Sequence, residues 1–182
     1  MNHIRKTLTL LALTLTLAAC GGGGTSSSQN SNPPQSTSKT ATISFNVIST
    51  ARLTAPVQGV QISALLPAGV TVATDAGSTT LSSAALATGN GITSANRQVY
   101  GTYSAAIRKV KITVVTTEDT FRGGEFAKLT VSYPATTTLT TTDFTSANAP
   151  LFPFFEAGGY VLGSGSVDLT GKLRASLGVV FN

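Results

Sequence analysis

The sequence predicts an all-β domain built as an antiparallel β-sandwich. Three observations carry that expectation. Apolar and polar residues alternate with period two in five separate segments. Clusters of Gly, Pro and Asn stand between those segments. No helical crossover separates them, so many short strands are left to pack as two antiparallel sheets.

The first segment is "TISFNVIS", where Ile43, Phe45 and Val47 alternate with Thr42, Ser44 and Asn46. In "VQISALLP", Val60, Ile62, Ala64 and Leu66 share one face. In "RKVKITVVT", Val110, Ile112 and Val114 oppose Lys109, Lys111 and Thr113. In "AKLTVSY", Leu129, Val131 and Tyr133 oppose Lys128, Thr130 and Ser132. The last run carries Val167, Leu169, Leu173, Ala175, Leu177, Val179 and Phe181 against Asp168, Thr170, Lys172, Arg174 and Ser176. Half-buried strands require this alternation because successive side chains point to opposite faces. Turns are expected at Pro67-Ala-Gly69, Asn90-Gly91, Gly123-Gly124, Gly158-Gly159 and Gly163-Ser-Gly165. Residues 78–89, "STTLSSAALATG", read as a short helix with Leu81, Ala85 and Leu86 on one side. A closed barrel satisfies the same pattern. An outer-membrane barrel does not, because it needs lipid-facing bands about 25 Å tall with aromatic girdles.

The start of the chain reads differently. Arg5 and Lys6 precede an uncharged stretch of thirteen residues, Thr7 to Ala19. Spanning a bilayer takes about 20 apolar residues, so this length and its flanks indicate a secretory signal segment. Leu17-Ala18-Ala19-Cys20 resembles the lipobox of bacterial lipoproteins. The resemblance implies cleavage between Ala19 and Cys20, a diacylglyceryl group on the Cys20 sulfur, and a further acyl chain, such as palmitate, on the new amino terminus. Several chains together, at about 0.8 kcal/mol per buried methylene, hold a protein on a bilayer where one does not. Gly21 rather than Asp after that cysteine implies outer-membrane sorting where a cell has two membranes. The chain therefore divides into a signal peptide (1–19), a lipidated Cys20 with a Gly/Ser/Pro linker (20–39), and the sandwich (40–182). About 19 residues of such a linker reach roughly 25 Å.

Composition narrows the chemistry. The chain has 12 basic and 7 acidic side chains, and removing Arg5 and Lys6 leaves a net charge of +3. That balance is too small to predict a nucleic-acid partner. The single histidine is His3 and the single cysteine is Cys20. A chain processed before Cys20 and acylated there offers no catalytic triad and no His/Cys zinc site, and no cofactor is expected. Glu118, Asp119 and Glu125 bracket the turn "TEDTFRGGE" and are the calcium candidates. Glu118 or Asp119 together with Glu125 would be the carboxylate pair of a glycosidase reading. Lys109, Lys111, Lys128, Lys172 and Arg174 would make a basic sheet face if their strands were neighbours. Tyr100, Tyr103 and Tyr133 would make a sugar-stacking row if all faced outward. Leu151, Phe152, Phe154 and Phe155 are either core filler or, if exposed, a partner surface.

The pieces "GVQISALLPAGVTVATDAG", "VYGTYS", "VKITVVT" and "DTFRGGEFAKLTVSY", in that order, resemble the cohesin-type β-sandwich. The resemblance spans about residues 40–133, with a closing strand at 173–181, and implies a nine-stranded jelly roll. The expected function is thus a lipid-anchored cell-envelope module that binds and does not catalyse. Its partner is another protein, or in the alternative a polysaccharide.

Overall fold

Residues 38–182 are described by the structure, a computed structural model. The cleavage site Ala19–Cys20, the lipidation site and the linker up to residue 37 lie outside the described residues. The expected domain start falls two residues inside the first strand, which begins at Ser38.

Nine strands form in chain order: β1 (Ser38–Ser49), β2 (Gly59–Leu65), β3 (Leu86–Thr88), β4 (Arg97–Ser104), β5 (Lys109–Thr116), β6 (Gly124–Pro134), β7 (Phe154–Val161), β8 (Gly165–Asp168) and β9 (Leu173–Phe181). One helix, α1 (Thr141–Ala147), lies between β6 and β7. The strands build a four-stranded sheet, β3-β6-β1-β9, and a five-stranded sheet, β4-β5-β2-β7-β8. Every ladder is antiparallel. The sheets pack face to face as a sandwich, and among the described residues no ladder closes them into a barrel.

The core is the alternation made solid. Ile43, Phe45 and Val47 of β1, Val60, Ile62 and Ala64 of β2, and Val110, Ile112 and Val114 of β5 are all buried. Leu129, Val131 and Tyr133 close the cluster from β6. Phe45 sits at its centre, with ring centroids 6.3 Å from Phe126 and 6.5 Å from Phe152.

Three expectations are corrected. Residues 78–89 do not form a helix. Leu81 bridges to Thr74, a single turn closes at Ser82, and Leu86–Thr88 pairs with β6 as β3. Gly158-Gly159 is not a turn but the middle of β7. The carbonyl of Pro56 and the methyl of Ala55 lie against Gly159 so closely that no β-carbon fits there. The run from Val167 to Phe181 is two strands, broken by a 3-10 turn at Thr170–Lys172.

The Phe45 environment gives a direct test. Phe45→Ala removes a ring with no exposed surface, and the expected loss in unfolding free energy is about 3–5 kcal/mol. Urea denaturation of the variant measures it, and a loss below about 1 kcal/mol would contradict this packing.

Candidate functional site

The side of the sandwich between β9 and β7 carries an open apolar groove bordered by Leu151 and Phe154. α1 sets it up. Asp143 Oδ2 accepts hydrogen bonds from the Thr140 amide (2.7 Å) and hydroxyl (2.8 Å), which fixes the helix start. Phe144 then buries its ring 6.2 Å from Phe181 of β9. Asn148, just past the helix, is buried and hydrogen-bonded three ways. Its Oδ1 accepts from the Leu65 amide at 2.8 Å, and its Nδ2 donates to the carbonyls of Leu65 (3.0 Å) and Phe144 (2.9 Å). It thus pins the segment that follows to the end of β2.

That segment splits the "LFPFF" residues between two roles. Phe152 and Phe155 turn inward and pack against the core. Leu151 and Phe154 stay exposed, at 75% and 37%. A groove of about 750 Å³ runs beside them, lined among others by Leu151, Phe152, Phe154, Phe155, Leu173 and Arg174. Arg174 is exposed, and the only ion pair among the described residues is Lys128–Glu125 at 3.4 Å, so the groove's guanidinium has no acidic partner.

A second, shallower groove of about 440 Å³ crosses the outer face of the five-stranded sheet. In-register neighbours run Tyr100, Thr113, Gln61 and Glu156 across four strands. The next row is Gln98, Val115, Gly59, Gly158 and Asp168. Gly59 and Gly158 leave the floor bare; a β-carbon at Gly59 would meet nothing within 4 Å.

The other candidates separate. Tyr100 is exposed at 54%, but Tyr103 and Tyr133 are core residues, so the three tyrosines form no outward row. Tyr103 donates its hydroxyl to the Val70 carbonyl at 3.3 Å. Tyr133 stands edge-on to Phe181 at 6.2 Å. The basic residues do not share a face either. Lys109 and Lys111 belong to the five-stranded sheet, while Lys128 and Arg174 belong to the four-stranded sheet with β1 between their strands.

The carboxylates of "TEDTFRGGE" are engaged separately. Glu118 accepts from the amides of Thr93 (2.6 Å) and Ser94 (2.8 Å) and from the hydroxyls of Thr93 (2.8 Å) and Thr120 (3.0 Å). Glu125 accepts from the Asn90 amide at 2.8 Å and pairs with Lys128. Among the described residues no three acidic, histidine or cysteine side chains converge as a metal site. The Ser94 amide, followed by the Thr93 hydroxyl, lowers the Glu118 carboxyl from its ordinary 4.5 to about 2. A group held that low stays ionised and does not serve as a proton donor near neutral pH. What Glu118 does is staple the 93–94 turn to the strand β5 exit.

With this geometry in view, no protein-family model, no curated protein and no solved structure matches the chain. Among the described residues no helix is long and apolar enough to cross a membrane, which leaves strand-based crossing unaddressed.

Sequence reasoning missed the Asn148 clamp and the Glu118 staple. The first had a usable signal in Thr140-x-x-Asp143, a helix-start pattern placed before Phe144. The second had none, because Glu118 and Thr93 meet only through the fold.

The Glu118 staple predicts an acid dependence. Its folded-state value lies below the ordinary one, so its contribution to stability is complete above about pH 4.5 and is lost as pH falls through about 2. Stability measured from pH 6 to pH 2 should hold down to about pH 4.5 and decline below it, and Glu118→Gln should flatten that decline. An unchanged profile in the variant would remove this role.

Proposed function

We propose that the chain is a lipid-anchored cell-envelope binding module without catalytic activity, holding a protein partner against the groove beside Leu151 and Phe154. The observation that carries this reading is the pair of exposed apolar side chains held on a rigid flank, Leu151 at 75% and Phe154 at 37%, along a groove of about 750 Å³. Isolated exposed leucines are ordinary. Here the segment is anchored on both sides, by Asn148 on β2 and by Phe152 against Phe45. A surface organised in this way is ready to bind without reordering, which lowers the entropic cost of association. The Cys20 acyl chains, the linker and a cohesin-like jelly-roll arrangement of the two sheets belong to the same proposal. So does outer-membrane placement in a cell with two membranes.

A photo-reactive residue at position 151 of the full chain, expressed in its own envelope, tests anchor and groove together. The expected result is a crosslinked protein in the membrane fraction, absent when the reactive residue replaces Thr130 on the other sheet. Cys20→Ala should release the chain from that fraction and remove the acyl mass from the intact protein. Equal crosslinking from both positions would defeat the groove, and a membrane-bound Cys20→Ala chain would defeat the anchor.

A second reading, polysaccharide binding, is favoured by the row Tyr100–Thr113–Gln61–Glu156 beside the glycine-floored groove. Aromatic and hydrogen-bonding groups in one line suit an extended sugar chain. Gly59→Val fills that groove into open space. It should abolish retardation in glycan-containing affinity gels without lowering stability, and unchanged retardation would end this reading.

A further inference from the structure

The free edge of β9 is the feature that the groove leaves unexplained. β9 pairs on one side only, with β1, in unbroken register from Ala41↔Phe181 to Ser49↔Leu173. Two bonds show which residues turn their backbone toward β1. The Asn182 amide donates to the Thr40 carbonyl and the Thr50 amide donates to the Lys172 carbonyl, both at 3.0 Å. Backbone direction alternates along an antiparallel ladder. The even-numbered residues therefore serve β1, and Leu173, Ala175, Leu177, Val179 and Phe181 point their N–H and C=O groups away from it. The Leu173 amide is taken up by the Thr170 carbonyl in the turn before the strand; among the described residues the outward groups of Ala175, Leu177, Val179 and Phe181 have no hydrogen-bond partner.

The other sheet edges are managed. β4 is covered by Thr79–Leu81, through Tyr103 N–H to Thr79 (2.8 Å) and Leu81 N–H to Gly101 (2.9 Å). β3 has three residues and β8 has four. β9 has nine residues, no proline, no bulge and one charge, Arg174, and α1 packs beside it at Phe181. Native proteins normally blunt such an edge with charges, proline or a bulge. The sheets are also unequal. β3 and β4, the edge strands of the far side, touch each other, so four strands over five leaves the missing place on the β9 side, opposite β8.

We infer that β9 accepts an added strand from a partner, an extended peptide with alternating apolar residues and a carboxylate near Arg174. This rests on the groove being a protein-binding site and specifies how it binds. Main-chain hydrogen bonds to the outward residues from Ala175 onward supply affinity, and alternate side chains drop into the groove between Leu173 and Phe154. The unpaired cations Lys172 and Arg174 lie at one end of the edge and select an acidic residue there. A peptide adds one strand and matches the five-over-five count. A second copy would bring its own β8 into the same place, because each molecule's five-stranded sheet overhangs its β9.

The test is amide hydrogen exchange on the full chain. The probe is a synthetic peptide of about ten residues, alternating valine and threonine with one aspartate. Without peptide, the even-numbered amides of β9 should be protected and those of Ala175, Leu177 and Val179 should exchange freely. Peptide should slow exchange at Ala175, Leu177 and Val179 by at least about tenfold. Ala175→Pro deletes only an outward N–H, a position where an edge strand tolerates proline, so it should fold and abolish that protection. Arg174→Glu should weaken it severalfold. Absence of protection at millimolar peptide, or protection that survives Ala175→Pro, overturns strand addition. If binding survives Ala175→Pro but is lost in Phe154→Ser, the groove stands and the strand mode fails; loss of binding in neither variant removes both. Protection that grows with protein concentration alone, with a doubled mass, would make a second copy the occupant and refute the peptide.

Discussion

The described residues are organised around β1. It is hydrogen-bonded along both edges, to β6 on one side and β9 on the other. On its inner face Ala41, Ile43, Phe45 and Val47 have essentially no exposure. A strand paired twice and buried on one side has a single register that works, since a slip of one residue would turn Phe45 to solvent and Asn46 to the core. The one irregularity is the shift between Phe45 and Asn46 against β6, where Phe126 is brought over the Phe45 ring.

The functional candidates follow from what β1 does not reach. The five-stranded sheet is wider than the four-stranded one, so one flank of the core has no strand over it. The chain fills that flank partly with loops. Ala55 and Pro56 pack on Gly159, and Phe152 enters from the side beside Phe45. The filling stops at Leu151 and Phe154, whose side chains remain outside. Loop residues on a rigid sandwich are where binding usually resides, and here the loop is held by Asn148 rather than by apolar packing alone.

Much of the fold was legible because period-two alternation is a local signal. Ile43, Phe45, Val60, Ile62, Val110, Ile112, Leu129 and Val131 declare their face two residues at a time. The errors came where local chemistry and tertiary need diverge. Gly158-Gly159 has turn composition, yet Gly159 is there because Pro56 passes over it. Leu81, Ala85 and Leu86 have helical spacing, yet Leu81 is held in a bridge to Thr74 and Leu86 in a ladder with β6. α1 went unseen because seven residues with one buried apolar side chain make no periodicity. The exposed apolar segment was half legible. The composition of "LFPFF" marks it, but period two would put Phe152 and Phe154 on one face, and the fold sends them different ways across Pro153. The free edge of β9 was not legible at all, since a strand's sequence records its two faces and not its two neighbours.

The placement of Ser38 at the outset of a doubly paired strand has a mechanical consequence. A pull applied at that residue along β1 would load both its ladders in shear, so many hydrogen bonds would share the force instead of parting one after another. Anything bound alongside β9 would join the same line of load through β1, leaving the five-stranded sheet outside it. A molecule wired in this way can be pulled without being peeled.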